Sequence, residues 1–157
     1  MRLEKSEKFE IPTWEQIYAM LLSLAQKIRN DKFCPDIIVG VSRGGWTPAR
    51  VLSDLLENPE IANVKAEFYL GVAETKEEPV ITQAVSVNVK GMKVLVVDDV
   101  SDTGKSLSLV KTHLLEQGAK DLKIATLYYK PWSVTIPDYY EKTTRDWIIF
   151  PWERKEA

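Results

Sequence analysis

The stretch Lys93-Val94-Leu95-Val96-Val97-Asp98-Asp99-Val100-Ser101-Asp102-Thr103-Gly104-Lys105-Ser106 constrains this chain more than any other. Its unbroken apolar run, rich in β-branched valine, has the character of a strand buried on both faces. That strand is expected to stop at Asp98-Asp99. A helix then starts near Gly104, carries Leu107, Val110 and Leu114 at helical spacing, and is capped by Gly118. Ligands of open parallel sheets bind beyond the carboxyl ends of the strands, which is where this pattern delivers both acids. Two adjacent carboxylates repel each other there unless a metal ion or a hydroxyl-rich ligand compensates. Free N–H groups at the helix start, a glycine, and the hydroxyls of Thr103 and Ser106 favour a phosphate. Acids followed closely by a phosphate turn point to a phosphorylated sugar.

The rest of the chain alternates strand and helix. Residues 1–12 are polar and end in Pro12, which predicts a loose arm. Thr13 and Gln16 form a capping box for a helix over residues 14–29, with Ile17, Met20, Leu21, Leu24 and Ile28 on one face. Pro35 precedes a buried strand, Asp36-Ile37-Ile38-Val39-Gly40-Val41, and Ser42-Arg43-Gly44-Gly45 follows it. Pro48 suits the first turn of a second helix carrying Ala49, Val51, Leu52, Leu55 and Leu56. Strands are predicted over residues 66–70 and 81–87, separated by a charged loop, 71–79, with no apolar period. Further strands are predicted over 124–129 and 147–150. This order predicts an α/β fold with a mainly parallel twisted sheet flanked by helices. The 157 residues read as a single domain, with no repeat and no linker.

Composition narrows the function. Apolar residues make up 45% and charged residues 28%, too apolar a balance for a disordered chain. Net charge is −2, from 21 basic and 23 acidic residues, which argues against coating nucleic acid by bulk charge. No apolar run approaches the roughly 20 residues that cross a bilayer, and the charged N-terminus does not read as a signal peptide. Cys34 and His113 are the only residues of their kinds, which excludes an internal disulfide and a Cys/His zinc cage and fits a reducing cytoplasm. A Walker loop is excluded as well: it needs glycine five positions before Gly104, and position 99 is Asp. A receiver-type acid pocket follows the first strand and needs no phosphate turn. The remaining alternative is a plain capped helix.

Taken whole, residues 94–106 resemble the phosphoribosyl-diphosphate signature of type I phosphoribosyltransferases. Val41-Ser42-Arg43-Gly44-Gly45 is similar to the diphosphate loop of that family. Tyr129-Lys130-Pro131 and Asp146-Trp147-Ile148-Ile149-Phe150-Pro151-Trp152-Glu153 resemble the base-binding elements of the small bacterial xanthine-guanine enzymes. The resemblance spans most of the chain and implies a small base-binding hood on the sheet. It implies that Asp98 and Asp99 bind the ribose hydroxyls, with Asp99 contacting Mg²⁺. Val100, Ser101, Asp102, Thr103, Gly104, Lys105 and Ser106 complete the phosphoribosyl diphosphate loop, and Arg43 and Gly44 meet the diphosphate. Asp102 lies near N7 of the purine as proton acceptor, Lys130 donates to the 6-oxo group, Trp147 stacks on the base, and the Ile148 backbone meets its 2-substituent.

The sequence departs from the family in its mobile loop. Residues 71–89 contain neither the arginine nor the Ser-Tyr pair found there, and Lys76 is the available charge. Glu153 stands where the bacterial enzymes have an acid that helps select xanthine. His113 is expected to be a solvated helix residue, Cys34 a buried or half-buried thiol, and Trp14 and Trp152 packing residues. Trp46 and Trp132 flank the two site loops, where shaping the pocket and making lid or subunit contacts are both open. The implied activity is Mg²⁺-dependent transfer of phosphoribosyl from phosphoribosyl diphosphate to guanine, xanthine or hypoxanthine, in a cytoplasmic homo-oligomer (dimer or tetramer). A non-catalytic phosphoribosyl-diphosphate sensor and a transferase for another base are the alternatives. A sensor needs neither a proton acceptor at Asp102 nor a purine pocket at Lys130 and Trp147.

Overall fold

A computed structural model describes residues 8–70 and 77–153. In chain order the elements are β1 (Phe9–Glu10), α1 (Trp14–Asn30), β2 (Ile37–Val41), α2 (Trp46–Leu55), β3 (Ile61–Leu70), β4 (Glu77–Gln83), β5 (Lys93–Ser101), α3 (Lys105–Glu116), β6 (Asp121–Tyr129), β7 (Lys142–Thr143), β8 (Trp147–Ile148) and a 3-10 turn, Pro151–Glu153. Six strands form one sheet in the order β4-β3-β2-β5-β6-β7, parallel throughout except for the antiparallel β3–β4 pair. β1 and β8 form a small separate parallel sheet, pairing Phe9 with Trp147 and Glu10 with Ile148.

The two sheet faces follow the period-two alternation of strand residues. Ile38, Leu95, Val97, Ala125 and Leu127 face one way and pack with Ile17, Leu21, Leu24 and Ile28 of α1 and Ala49 and Leu52 of α2. Ile37, Val39, Val41, Val94, Val96 and Ile124 face the other way, against Leu107, Val110 and Leu114 of α3. β2 and β5 are covered on both sides, and so read in the sequence as continuous apolar runs rather than alternating ones. The β1–β8 hood is held by aromatic contacts. Phe150 stacks on Trp152 at 4.8 Å between ring centroids, Trp152 meets Trp14 at 5.9 Å, and Phe150 meets buried Tyr128 at 5.7 Å.

Several expectations hold, and several are corrected. The capping box is formed: the Thr13 side chain accepts from Gln16 N–H at 3.1 Å, and the Gln16 side chain accepts from Thr13 N–H at 2.8 Å. Phe9 and Glu10, expected in a loose arm, form β1, because β8 offers them a strand edge that lies far away in sequence. β3 begins five residues earlier than predicted, where polar Asn63 and Lys65 mask the pattern. β4 is Glu77–Gln83 rather than 81–87, since its pairing with β3 recruits the charged residues Glu77 and Glu78. The predicted loop therefore loses residues 77–79 to a strand, and its residues 71–76, with Lys76, lie outside the described residues. The strand predicted over 147–150 is only Trp147–Ile148, after which the chain turns into the 3-10 segment. Cys34 is exposed rather than buried. His113 is half-buried, and its Nε2 accepts the Val85 N–H at 3.2 Å, tying the segment after β4 to α3.

Replacing Thr13 with Ala removes the reciprocal capping pair at the start of a helix that supplies four large core residues. The expected cost is about 1 kcal/mol, seen as a lower urea midpoint with an unchanged slope.

Candidate active site

β5 decides the geometry of the site. It does not stop at Asp98-Asp99: Val100 pairs with Tyr128 and Ser101 with Tyr129, so the backbone stays extended through the acids. Consecutive strand residues point to opposite faces. Asp98 continues the Val94–Val96 row toward α3. It lines a cavity of about 180 Å³ with Phe68, Val100, Asp102, Thr103, Gly104, Ser106 and Leu107. Asp99 continues the Leu95–Val97 row toward α2. It lines a second cavity of about 650 Å³ with Arg43, Gly44, Trp46, Thr47, Trp152 and Glu153. The adjacent acids thus line two cavities, one on each side of the strand, while their carboxyl groups stay within hydrogen-bond reach of each other at its edge.

Both acids are electrostatically costly. Burial, reinforced by the neighbouring Asp99 charge, pushes the Asp98 carboxyl well above the usual carboxylate range. Burial likewise raises Asp99, opposed by its hydrogen bonds. Asp98 Oδ1 accepts from Asp99 N–H, and Asp99 Oδ1 from Val100 N–H, each at 2.8 Å. Among the described residues no lysine or arginine forms an ion pair with either acid. Glu153, across the larger cavity, is itself pushed up by burial and by the charge of Asp99. This set of hard oxygen donors is a deficit of positive charge.

Two glycines set the walls. A Cβ on Gly44 would lie 2.3 Å from Asp99 Oδ2 and 2.6 Å from Cγ, so the loop after β2 reaches the acid only as glycine. Gly104 has φ +81°, and a Cβ there would fall 2.4 Å from Ser133 Oγ and 2.5 Å from Thr135 N. It is the N-cap of α3 and has no side chain to cap the helix; the Lys105 N–H donates to Thr103 Oγ1 at 3.3 Å, and Thr103, Gly104 and Ser106 all line the smaller cavity. Lys105 opens the helix as an exposed residue.

A strap following β6 backs this turn. Val134 N donates to Thr103 O at 2.9 Å and Thr135 Oγ1 to Gly104 O at 2.6 Å. The buried Ser101 hydroxyl meets Ser133 Oγ and Thr135 O, each at 2.8 Å, so it is spent on the strap rather than aimed into the cavity. The strap begins at Lys130, which is 5% exposed. Its N–H donates to Ser101 O at 3.0 Å, and its ammonium donates to the Asp146 carbonyl. Burial lowers the lysine pKa, and the charges of Asp102, Asp146 and Glu10 oppose that shift. Trp147 follows Asp146 directly and is 65% exposed, and Ile148 is buried in the hood. Asp102 is exposed at the edge of the smaller cavity.

The fold therefore brings Arg43, Gly44 and Asp99 together on one side of β5, and Asp98, Asp102, Thr103, Gly104 and Ser106 on the other, with Lys130 and Trp147 joined through Asp146. Phe68 and the Ser133–Thr135 contacts escaped the sequence reading. Phe68 sits among ordinary strand residues, and nothing in Ser133-Val134-Thr135 signals that the strap crosses back over Gly104.

The phosphoribosyl transferase domain family matches residues 10–156. The chain belongs to that family. It is 31% identical to a xanthine-guanine phosphoribosyltransferase of Cereibacter sphaeroides over 97% of this chain and 90% of that enzyme. Its fold is similar to the crystal structure of a purine phosphoribosyltransferase from Pyrococcus horikoshii Ot3, with a TM-score of 0.84 and 42% identity over 95% of this chain and 96% of that one. It is also similar to a Helicobacter pylori xanthine-guanine-hypoxanthine phosphoribosyltransferase, with a TM-score of 0.80 and 25% identity over 93% and 94% of the two chains. Among the described residues no helix is long and apolar enough to cross a membrane.

Asp98→Asn keeps an acceptor for the Asp99 N–H and removes one of two crowded carboxylates. The ligand-free protein should gain about 1 kcal/mol, a rise of roughly 2–4 °C in Tm for a chain of this size. Calorimetry of the two proteins at neutral pH checks this.

Proposed function

We propose that the chain transfers the 5-phosphoribosyl group from phosphoribosyl diphosphate to a 6-oxopurine, forming the nucleoside monophosphate and releasing diphosphate. Family membership and the activities for which its relatives are named support the reaction class. The observation that carries the base class is the buried Lys130 ammonium, held by the Asp146 carbonyl next to the exposed residue Trp147. An ammonium offers only donors, which suits a 6-oxo group and opposes the 6-amino group of adenine.

In this reading the Thr103–Ser106 turn binds the 5′-phosphate through helix N–H groups and hydroxyls. Asp98, in the same cavity, accepts from the ribose hydroxyls, and Asp99 does so from the other face of the strand. Arg43 and the Gly44 loop hold the diphosphate across the larger cavity. The bond from ribose C1 to the diphosphate oxygen breaks while the bond from C1 to the purine nitrogen forms. Positive charge builds on the sugar, and no covalent nucleophile is required. Asp102 accepts the purine proton near N7, and Trp147 and the Ile148 backbone position the ring.

Mg²⁺ fits this site. No group of three or more His, Cys, Asp or Glu side chains forms a cage among the described residues. One or two carboxylates sharing the ion with substrate phosphates is, however, a usual arrangement for this cation. Asp99, with Asp98 nearby, would hold it, and the bound ion would neutralise charge on the departing diphosphate. A homo-oligomer, dimer or tetramer, belongs to the same proposal. The exposed residues Trp14, Tyr18 and Leu22 at successive turns of α1 support it.

Three outcomes are expected. Nucleotide formation should vanish in chelator and return with Mg²⁺ or Mn²⁺; full activity in chelator removes the metal. Asp102→Asn should lower turnover by about 10²–10⁴ while phosphoribosyl diphosphate still binds by calorimetry. In competition between equal adenine and guanine, the wild type should favour guanine at least tenfold, since an unpaired buried donor costs roughly 1–3 kcal/mol. Lys130→Ala should narrow that gap, and adenine winning on the wild type sinks the 6-oxopurine assignment.

A further inference from the structure

Lys130 and Asp102 carry opposite charges on neighbouring segments, and the charge of Asp102 bears on the lysine. A lysine beside a carboxylate ordinarily closes an ion pair, which here would consume both groups the base must meet. No such pair forms among the described residues. The side chain between them is Trp132. Its indole Nε1–H donates to Asp102 Oδ1 at 3.1 Å. The centroid of its ring lies 5.4 Å from Lys130 Nζ, within range of a cation–π contact.

The backbone holds the indole in place. Ser133 N donates to Lys130 O at 3.0 Å, closing a turn around Pro131 and Trp132. The next residues are pinned to the phosphate turn by Val134 N to Thr103 O and by Thr135 Oγ1 to Gly104 O. Trp132 is nevertheless 49% exposed, so core burial does not account for its place. Its polar edge and its ring face are each occupied by a different charged residue of the site.

Resting on the reading of Lys130 and Asp102 given above, we propose that Trp132 is a positioning residue for both. Its N–H ties down one carboxylate oxygen of Asp102, leaving the other to meet the base. Together with the Asp146 carbonyl that accepts from it, the ring keeps the ammonium from collapsing onto that carboxylate and so preserves it for the 6-oxo group. A freely turning carboxylate must be ordered at each encounter, whereas one already tied is ready to accept the proton. The two roles reside in different parts of the indole and can be separated by substitution.

Trp132→Phe keeps a ring and loses the N–H, while Trp132→Leu loses both. In Trp132→Phe, kcat with guanine should fall about tenfold to 10²-fold, the scale of a misplaced reacting group. KM for phosphoribosyl diphosphate and the guanine-over-adenine preference should stay within twofold of wild type. Trp132→Leu should lower kcat similarly and also shrink the preference, as Lys130 closes on Asp102. A merely structural role would instead weaken phosphoribosyl diphosphate binding and thermal stability together, with no split between the variants. A second readout needs no activity. The ¹⁵N-indole resonance of Trp132, assigned by its loss in Trp132→Phe, should move in Asp102→Asn. Wild-type kcat in Trp132→Phe, or an indole resonance indifferent to Asp102→Asn, overturns the proposal. If the wild type transfers phosphoribosyl to no 6-oxopurine, the reaction assignment fails, and the resonance alone decides whether Trp132 holds Asp102.

Discussion

The extended backbone of β5 through Asp98 and Asp99 is the constraint on which the site depends. Had the strand ended before the acids, both carboxylates would lie in one turn and crowd a single ligand. Because Val100 and Ser101 still pair with β6, the pleat sends Asp98 toward α3 and Asp99 toward α2. One strand thereby separates two cavities and places an acid in each. In the proposed function, the phosphorylated sugar and the diphosphate of one substrate span that strand edge. The electrostatic strain of two neighbouring, poorly compensated carboxylates is the corollary, and hydroxyl donors together with a divalent cation are the groups that would relieve it.

Close backbone approach completes both cavities. The Gly44 loop presses against the Asp99 carboxylate, and the Gly104 turn presses against the Ser133–Thr135 strap. The strap links what would otherwise be independent parts. It leaves β6 at Lys130, passes Trp132 beside Asp102, and ties back to Thr103 and Gly104. The Thr103–Gly104 turn and Lys130 are therefore built on one hydrogen-bonded connection. The hood adds the last element: β1 pairs with β8, and the Asp146 carbonyl ahead of β8 receives the Lys130 ammonium.

Legibility in the sequence varied with the range of the interactions involved. The capping box at Thr13, the buried runs of β2 and β5, the apolar face of α3 and the acid–glycine turn are local patterns, and each appears where the residues place it. β1 and β4 did not read as they fold. Phe9-Glu10 has no strand signal of its own length, and Glu77-Glu78 reads as solvated charge. Each becomes a strand only because a partner edge lies beside it. Cys34 and His113 misled for a related reason: whether a small residue near a strand start is covered, or a helix histidine meets a loop N–H, depends on which segment passes over it.

The sequence by itself determined the α/β alternation, the family, and the identity of the acids, glycines and hydroxyls at the strand–helix junction, because backbone periodicity and turn chemistry act over a few neighbouring residues. Only the tertiary structure decided that Asp98 and Asp99 serve opposite faces, that Ser101 is spent on the strap, that Phe68 walls the smaller cavity, and that Trp132 stands between Lys130 and Asp102. Those outcomes rest on strand register and on contacts between segments some 30 residues apart or more, and no local pattern encodes which distant surface will meet which.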